Sequence, residues 1–261
     1  MVEMGVSACA PARLDDEIGP RLGFRSNRLP GMSVRLPPWL RATPLAVGLV
    51  LALLLSAVLL DTHPADVDAV VAWTSTNVHN LARHPVAAMI ASAFVVPGLP
   101  SVQIVIVAIT CVALERRLGA GRTVLIAVSG QVLATLLTEY GADLGAQLHL
   151  WVASSPDRSD VGVSYVMFAL LAASWLLVEG RTRVLGLAAT TAWAASMVVI
   201  SPGMTSTGHV LSIVLGVATM CWIRRNSRAG NIGPPLPRGV ARAPVLARGA
   251  SAGPRHASAP R

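Results

Sequence analysis

The sequence predicts an all-α polytopic membrane protein of six transmembrane helices, with a short re-entrant or interfacial segment in the first outer loop. Three observations lead there. The chain is 53% hydrophobic and only 13% charged, with a mean hydropathy of +0.60, about half the charge of an ordinary soluble domain. Several apolar runs approach the roughly 17 to 25 residues that cross a hydrocarbon core of about 30 Å. The basic residues, all 21 of them arginine, gather in alternate connectors.

Residues 1–43 mix prolines, arginines and acids instead of a short basic region feeding an apolar run, so they read as a disordered cytoplasmic tail and not a signal peptide. The membrane domain is expected over 44–225. Its first span is 44–60, with Thr43 placed to cap it and Pro44 at the first helical position, where a missing N–H costs nothing. A polar connector, 61–85, carries Asp66, Asp68, Trp73, His79, Arg83 and His84. The apolar run 87–96 has ten residues, a rise of about 15 Å or half the core thickness. Because Pro97-Gly98-Leu99-Pro100 follows at once, this run is the re-entrant or interfacial segment. The remaining spans are 102–114, 123–137, 161–178, 184–200 and 208–223. Residues 226–261, rich in Pro, Gly and Arg, read as a second disordered tail.

Six crossings with the amino terminus inside put 19 of the 21 arginines on the cytoplasmic side, among them Arg116, Arg117, Arg122, Arg181 and Arg183. Only Arg83 and Arg158 fall outside, alongside Asp61, Asp66, Asp68, Asp143, Asp157 and Asp160. A seventh crossing at 87–96 would push the Glu115-Arg116-Arg117 cluster outside and break the pattern. The expectation is a multi-pass protein of the cell membrane with both termini cytoplasmic. The arginine excess is then topology, and no nucleic-acid partner is expected. Cys9, Cys111 and Cys221 are scattered, and the connector and tail histidines His63, His79, His84, His149 and His256 lack ligand spacing, so no metal and no cofactor are expected.

With the direction fixed, two polar residues stand out. The span 161–178 enters from the outer face with Ser164 three residues in, and the span 208–223 enters from the same face with His209 at its mouth. His209 is the single histidine within a predicted span, and no Asp, Glu or Arg falls in the middle of any of them. Taken alone, a membrane histidine often snorkels or bonds a neighbouring helix, and a membrane serine often bonds back to the preceding turn. Their setting adds to them. Gly162 lets the backbone approach closely, and Phe168, four residues after Ser164, lies one turn deeper on the same face. Gly208, Ser212 and Gly216 recur every four residues, the small-residue spacing of tight helix packing. A serine alcohol is a poor nucleophile until an imidazole accepts its proton. Without a carboxylate at that depth to complete a triad, the pair would be a dyad, with Phe168 stacking to orient the ring.

Three stretches together resemble the rhomboid family of intramembrane serine proteases. The run Leu114-Glu115-Arg116-Arg117-Leu118-Gly119 is similar to the glutamate-arginine-glycine signature closing the second rhomboid helix, Gly162-Val163-Ser164-Tyr165 to the nucleophile motif GxSG, and Gly208-His209 with Gly216 to the histidine motif AHxxGxxxG. The resemblance implies a rhomboid-like six-helix bundle, a Ser164 nucleophile, a His209 base, Phe168 packed on it, no cofactor, and cleavage of transmembrane substrates near the outer face. It also implies oxyanion donors on the second span at Leu99 and Gln103, of which only Gln103 can offer an amide. Tyr165 and Ser212 stand where the family has glycine, which makes both helices bulkier where they should touch, and Trp73 and Arg83 are not the adjacent pair of the family's first loop. These departures fit a divergent branch, of the high-GC bacterial kind.

The leading expectation is therefore a rhomboid-like serine protease acting on transmembrane proteins in the lipid bilayer. The alternative within the family is an inactive relative that binds transmembrane clients. A proton-coupled transporter, from a different class, would need carboxylates within the spans and broken helices at the midplane.

Overall fold

The computed structural model describes residues 42–96, 101–149 and 159–228. Most of both expected tails, Cys9, His256, Asp157, Arg158, and the Pro97-Gly98-Leu99-Pro100 break with its Leu99 lie outside the described residues. Every regular element among the described residues is helical.

Helix α1 (Pro44–Thr62) begins as expected at the proline, but Thr43 makes no side-chain capping bond to it. The expectation that Thr43 caps α1 is thereby corrected. The amides of Leu45 and Ala46 donate instead to the two carboxylate oxygens of Glu115, at 2.9 and 2.8 Å. First-turn amides have no intrahelical acceptor, and an anion there also meets the positive end of the helix dipole. A single carboxylate from a distant segment thus does the capping, and Glu115 is buried for it.

The connector after α1, read as merely polar, is built of short helices: a 3₁₀ turn (Pro64–Asp66), α2 (Val67–Thr74), α3 (Val78–Arg83) and α4 (Pro85–Phe94). Asn77 caps α3 by accepting from the Asn80 amide at 2.9 Å, and the Asn80 side chain donates to the Ala72 and Ser75 carbonyls at 2.7 and 2.8 Å. Helix α4 has ten residues, with Ala88 and Ser92 buried and Val86 and Ile90 exposed.

Helix α5 (Ser101–Leu118) ends in Glu115, Arg116 and Arg117, and Gly119, at φ +85°, turns the chain into α6. Helix α6 runs Ala120–Gln147 through a π-helical turn at Ser129–Leu133. It therefore continues well past the end expected at residue 137. Thr138, Glu139 and Ala142 are buried in this extension, so their polar groups are sheltered by protein and hydropathy stops marking the helix before the helix ends. Glu139, 1% exposed, corrects the expectation that the spans hold no carboxylate.

Helix α7 (Ser164–Trp175) is apolar around nearly its whole circumference, and residues 165–170 with Ala172 and Ala173 are all buried. A helix of that kind belongs at the centre of a bundle, and α7 packs against α5, α6, α8 (Arg181–Ile200) and α9 (Met204–Arg228). The Arg224 guanidinium, on α9, donates to the Leu176 carbonyl just after α7. Helix α9 continues to Arg228, beyond the boundary expected at 225.

Among the described residues four helices, α1, α6, α8 and α9, are long and apolar enough to cross a membrane by length and composition. Leu51, Leu55 and Val58 of α1 and Leu185, Val199 and Ile200 of α8 are exposed, as helices with a lipid-facing side require. Helix α5 has 18 residues but three charges at its end, and α7 has 12.

Candidate active site

The site is assembled where the first turn of α7 meets the first turns of α9. Gly162 adopts φ +125°, a conformation open to glycine and costly for other residues. Its amide donates to the Ser92 carbonyl of α4 at 2.7 Å, which ties the approach to α7 onto that short helix. Ser164 is the first residue of α7, not a residue inside it as the expected start at 161 had it. The earliest bond of this helix runs from the Met167 amide to the Val163 carbonyl at 2.8 Å. The amides of Ser164, Tyr165 and Val166 thus precede the first intrahelical donor and present the positive end of the helix.

His209, 8% exposed, lies in the second turn of α9 with Nε2 3.0 Å from Ser164 Oγ. The ring is held on two sides by aromatics. Phe168 lies against it at a centroid distance of 4.9 Å and an interplanar angle of 38°, and Tyr165 meets it edge to face at 5.6 Å and 76°. Trp193 of α8 backs Phe168 at 4.9 Å. His209 Nδ1 is buried and has no hydrogen-bond partner among the described residues, so packing orients the imidazole.

The small residues divide their work in a way the sequence did not indicate. A Cβ on Gly208 would overlap the Tyr165 phenol, and one on Gly216 would overlap the Ala169 backbone. Both glycines therefore face α7. Ser212 does not add bulk at that seam: its hydroxyl returns to the Gly208 carbonyl at 2.8 Å and lies 3.5 Å from the Gly130 carbonyl of α6. Gln103, on α5, is half-buried, and among the described residues no hydrogen bond joins it to Ser164 or His209.

Sequence reasoning missed Asp160. Read as one more charge of an outer loop, it is 5% exposed and bonded to three separate segments. Its amide donates to Ser75 Oγ at 2.7 Å, its carbonyl accepts from the Thr76 amide at 2.9 Å, and its carboxylate accepts from Tyr165 at 3.2 Å and Thr205 at 3.1 Å. The available signal was its place two residues before Gly162-Val163-Ser164-Tyr165. Gln131 was missed as well; it sits in the π-helical turn and donates to Ser92 Oγ at 3.2 Å. Among the described residues no group of three His, Cys, Asp or Glu side chains is placed to hold a metal ion.

Searches of the curated proteins and of the solved structures gave no match. The family described as Rhomboid-like protein matches residues 39–229, which takes in every helix from α1 to α9. By that match over most of its length, this chain belongs to the rhomboid-like protein family, as an all-helical membrane protein.

Proposed function

We propose that this protein is an intramembrane serine protease that hydrolyses a peptide bond of a transmembrane protein in the cell membrane, using Ser164 and His209 as a dyad. The observation that carries the reading is the 3.0 Å separation of Ser164 Oγ and His209 Nε2 in a buried, aromatic-walled setting. Nε2 accepts the hydroxyl proton as Oγ attacks the carbonyl carbon, and the same proton passes to the leaving amine as the peptide bond breaks. Water, deprotonated by the same nitrogen, then releases the acyl group from the serine. The Ser164 amide, at the positive end of α7, stabilises the developing oxyanion, and the Gln103 amide is the side-chain donor proposed to join it.

The six-span arrangement belongs to the same reading. Helices α5 and α7 are the two crossings beyond the four of full membrane length, α4 is the interfacial or re-entrant element, and both termini are cytoplasmic. The arginine distribution supports this. A second reading, an inactive relative that binds transmembrane clients, is favoured by one observation: Gln103 has no bond to the dyad among the described residues.

Labelling of the purified, detergent-solubilised protein with a fluorescent fluorophosphonate tests the choice. The protease reading expects labelling that vanishes in Ser164→Ala, falls sharply in His209→Ala, and slows about a hundredfold to a thousandfold in Gln103→Ala if that amide serves the oxyanion. Wild-type labelling no greater than that of Ser164→Ala would favour the client-binding reading.

A further inference from the structure

We propose that Asp160 and Tyr165 form a positioning device for His209, in which the Asp160 carboxylate fixes the Tyr165 phenol and the phenol ring fixes the imidazole. The inference rests on the dyad reading above and extends it to two residues that the reading does not require.

The physical difficulty is the imidazole itself. With Nδ1 lacking a partner among the described residues, the ring is held there by a single hydrogen bond, from Nε2 to Ser164 Oγ, which leaves its tilt about that bond unset. Orientation must come from the two aromatic walls. Phe168 is firmly placed, fully buried and backed by Trp193. Tyr165 has no such aromatic backing in its contacts; its ring meets His209 by an edge and lies over Gly208. Its hydroxyl donates to Asp160 Oδ2 at 3.2 Å and also lies within hydrogen-bonding reach of the Thr138 side chain of α6, and of the two partners only Asp160 is a carboxylate.

Asp160 in turn is fixed from several directions. Thr76 Oγ1 reaches Oδ2 at 3.4 Å and the main-chain carbonyl at 3.1 Å, Thr205 Oγ1 reaches Oδ1 at 3.1 Å, and Ser75 Oγ accepts its amide. Its bonds therefore come from the α2–α3 connector, the head of α7 and the head of α9, the same places that bear on the dyad. A buried carboxylate met by neutral hydroxyls is a costly group. An apolar residue would fill the space at lower cost but would leave the phenol free to turn away from the imidazole.

The experiment is NMR of the His209 ring in full-length protein carrying isotope-labelled histidine in detergent micelles, with the signal assigned through His209→Ala. Tyr165→Phe removes only the hydroxyl and Asp160→Ala only the acceptor; both should move the His209 resonances in the same direction. Asp160→Asn, whose amide oxygen still accepts from the phenol, should restore them towards wild type. Thr205→Val, which cuts a different bond of Asp160, should leave them in place. In parallel, fluorophosphonate labelling should slow about three- to tenfold in Tyr165→Phe and in Asp160→Ala, the effect of one hydrogen bond, and no further in the double variant. Resonances unmoved by Tyr165→Phe, or moved equally by Thr205→Val, would overturn the proposal and leave Asp160 a fastener of the outer loop. A wild type that never labels would defeat the protease reading, while the NMR comparison would still decide the positioning role.

Discussion

At the scale of single residues, the most informative pair is Tyr165 and Gly208. Each departs from the family pattern, the first where glycine follows the nucleophile and the second where alanine precedes the histidine. Together they are complementary, because the Tyr165 phenol occupies the space a Gly208 side chain would need. Gly208→Ala should therefore destabilise the protein by about 1–3 kcal/mol, the usual cost of overpacking a filled site. In a Tyr165→Ala background, where that space is open, the same change should cost almost nothing. Unfolding in mixed micelles of the wild type, both singles and the double gives the coupling, expected at about 0.5–3 kcal/mol for residues in contact. Strictly additive costs would mean that the ring lies elsewhere. This compensation was illegible in one sequence, since nothing in either residue's local pattern points to the other. The meeting of Ser164 and His209 was more legible, because each polar group stands near the start of its apolar run and the expected topology puts both starts on one side.

At the scale of elements, hydropathy located the apolar helices, missed α2 and α3 in the polar connector, and failed at helix ends. Each of the six apolar runs expected as a span corresponds to a helix, α1 and α5 to α9. Ends depend on polar contacts that hydropathy does not register. Helix α6 outruns its apolar stretch because Thr135, Thr138 and Glu139 are sheltered against the bundle, and α7 starts late because Gly162 must turn before Ser164 can be helical. The start of α1 is the plainest case: a threonine stood ready in sequence, yet the cap is Glu115 from the end of α5. Glu115→Ala strips both amides of their acceptor and should cost about 1–3 kcal/mol, the range for hydrogen bonds to a charged group. Glu115→Gln, retaining one side-chain oxygen, should cost less. Thermal unfolding in detergent measures both, and equal stability of all three proteins would show that the first turn of α1 finds other acceptors.

At the scale of the whole molecule, the proposed six crossings have to be reconciled with four helices of membrane length among the described residues. Helix α7, with 12 residues, rises only about 18 Å. A lipid-facing helix that short would thin the bilayer, but α7 is surrounded by protein on nearly every side, so it need not match the hydrocarbon thickness. Under the proposed function, a start below the membrane surface is what a buried nucleophile requires. Helix α5 reaches nearly the full thickness with its 18 residues, and its three charges stand at one end, where they can remain in the cytoplasm instead of being carried through lipid. If α5 and α7 cross, Gly121 lies inside and Ser159 outside; if only α1, α6, α8 and α9 cross, these two positions exchange sides. Both positions are exposed. Single Gly121→Cys and Ser159→Cys variants, made in a cysteine-free background and tested in intact cells with a membrane-impermeant maleimide, separate the two arrangements. Six crossings expect Ser159→Cys to react at once and Gly121→Cys only after permeabilisation. The reverse pattern would reduce the protein to four crossings and put Ser164 on the cytoplasmic side, where cleavage near the outer face would have no site.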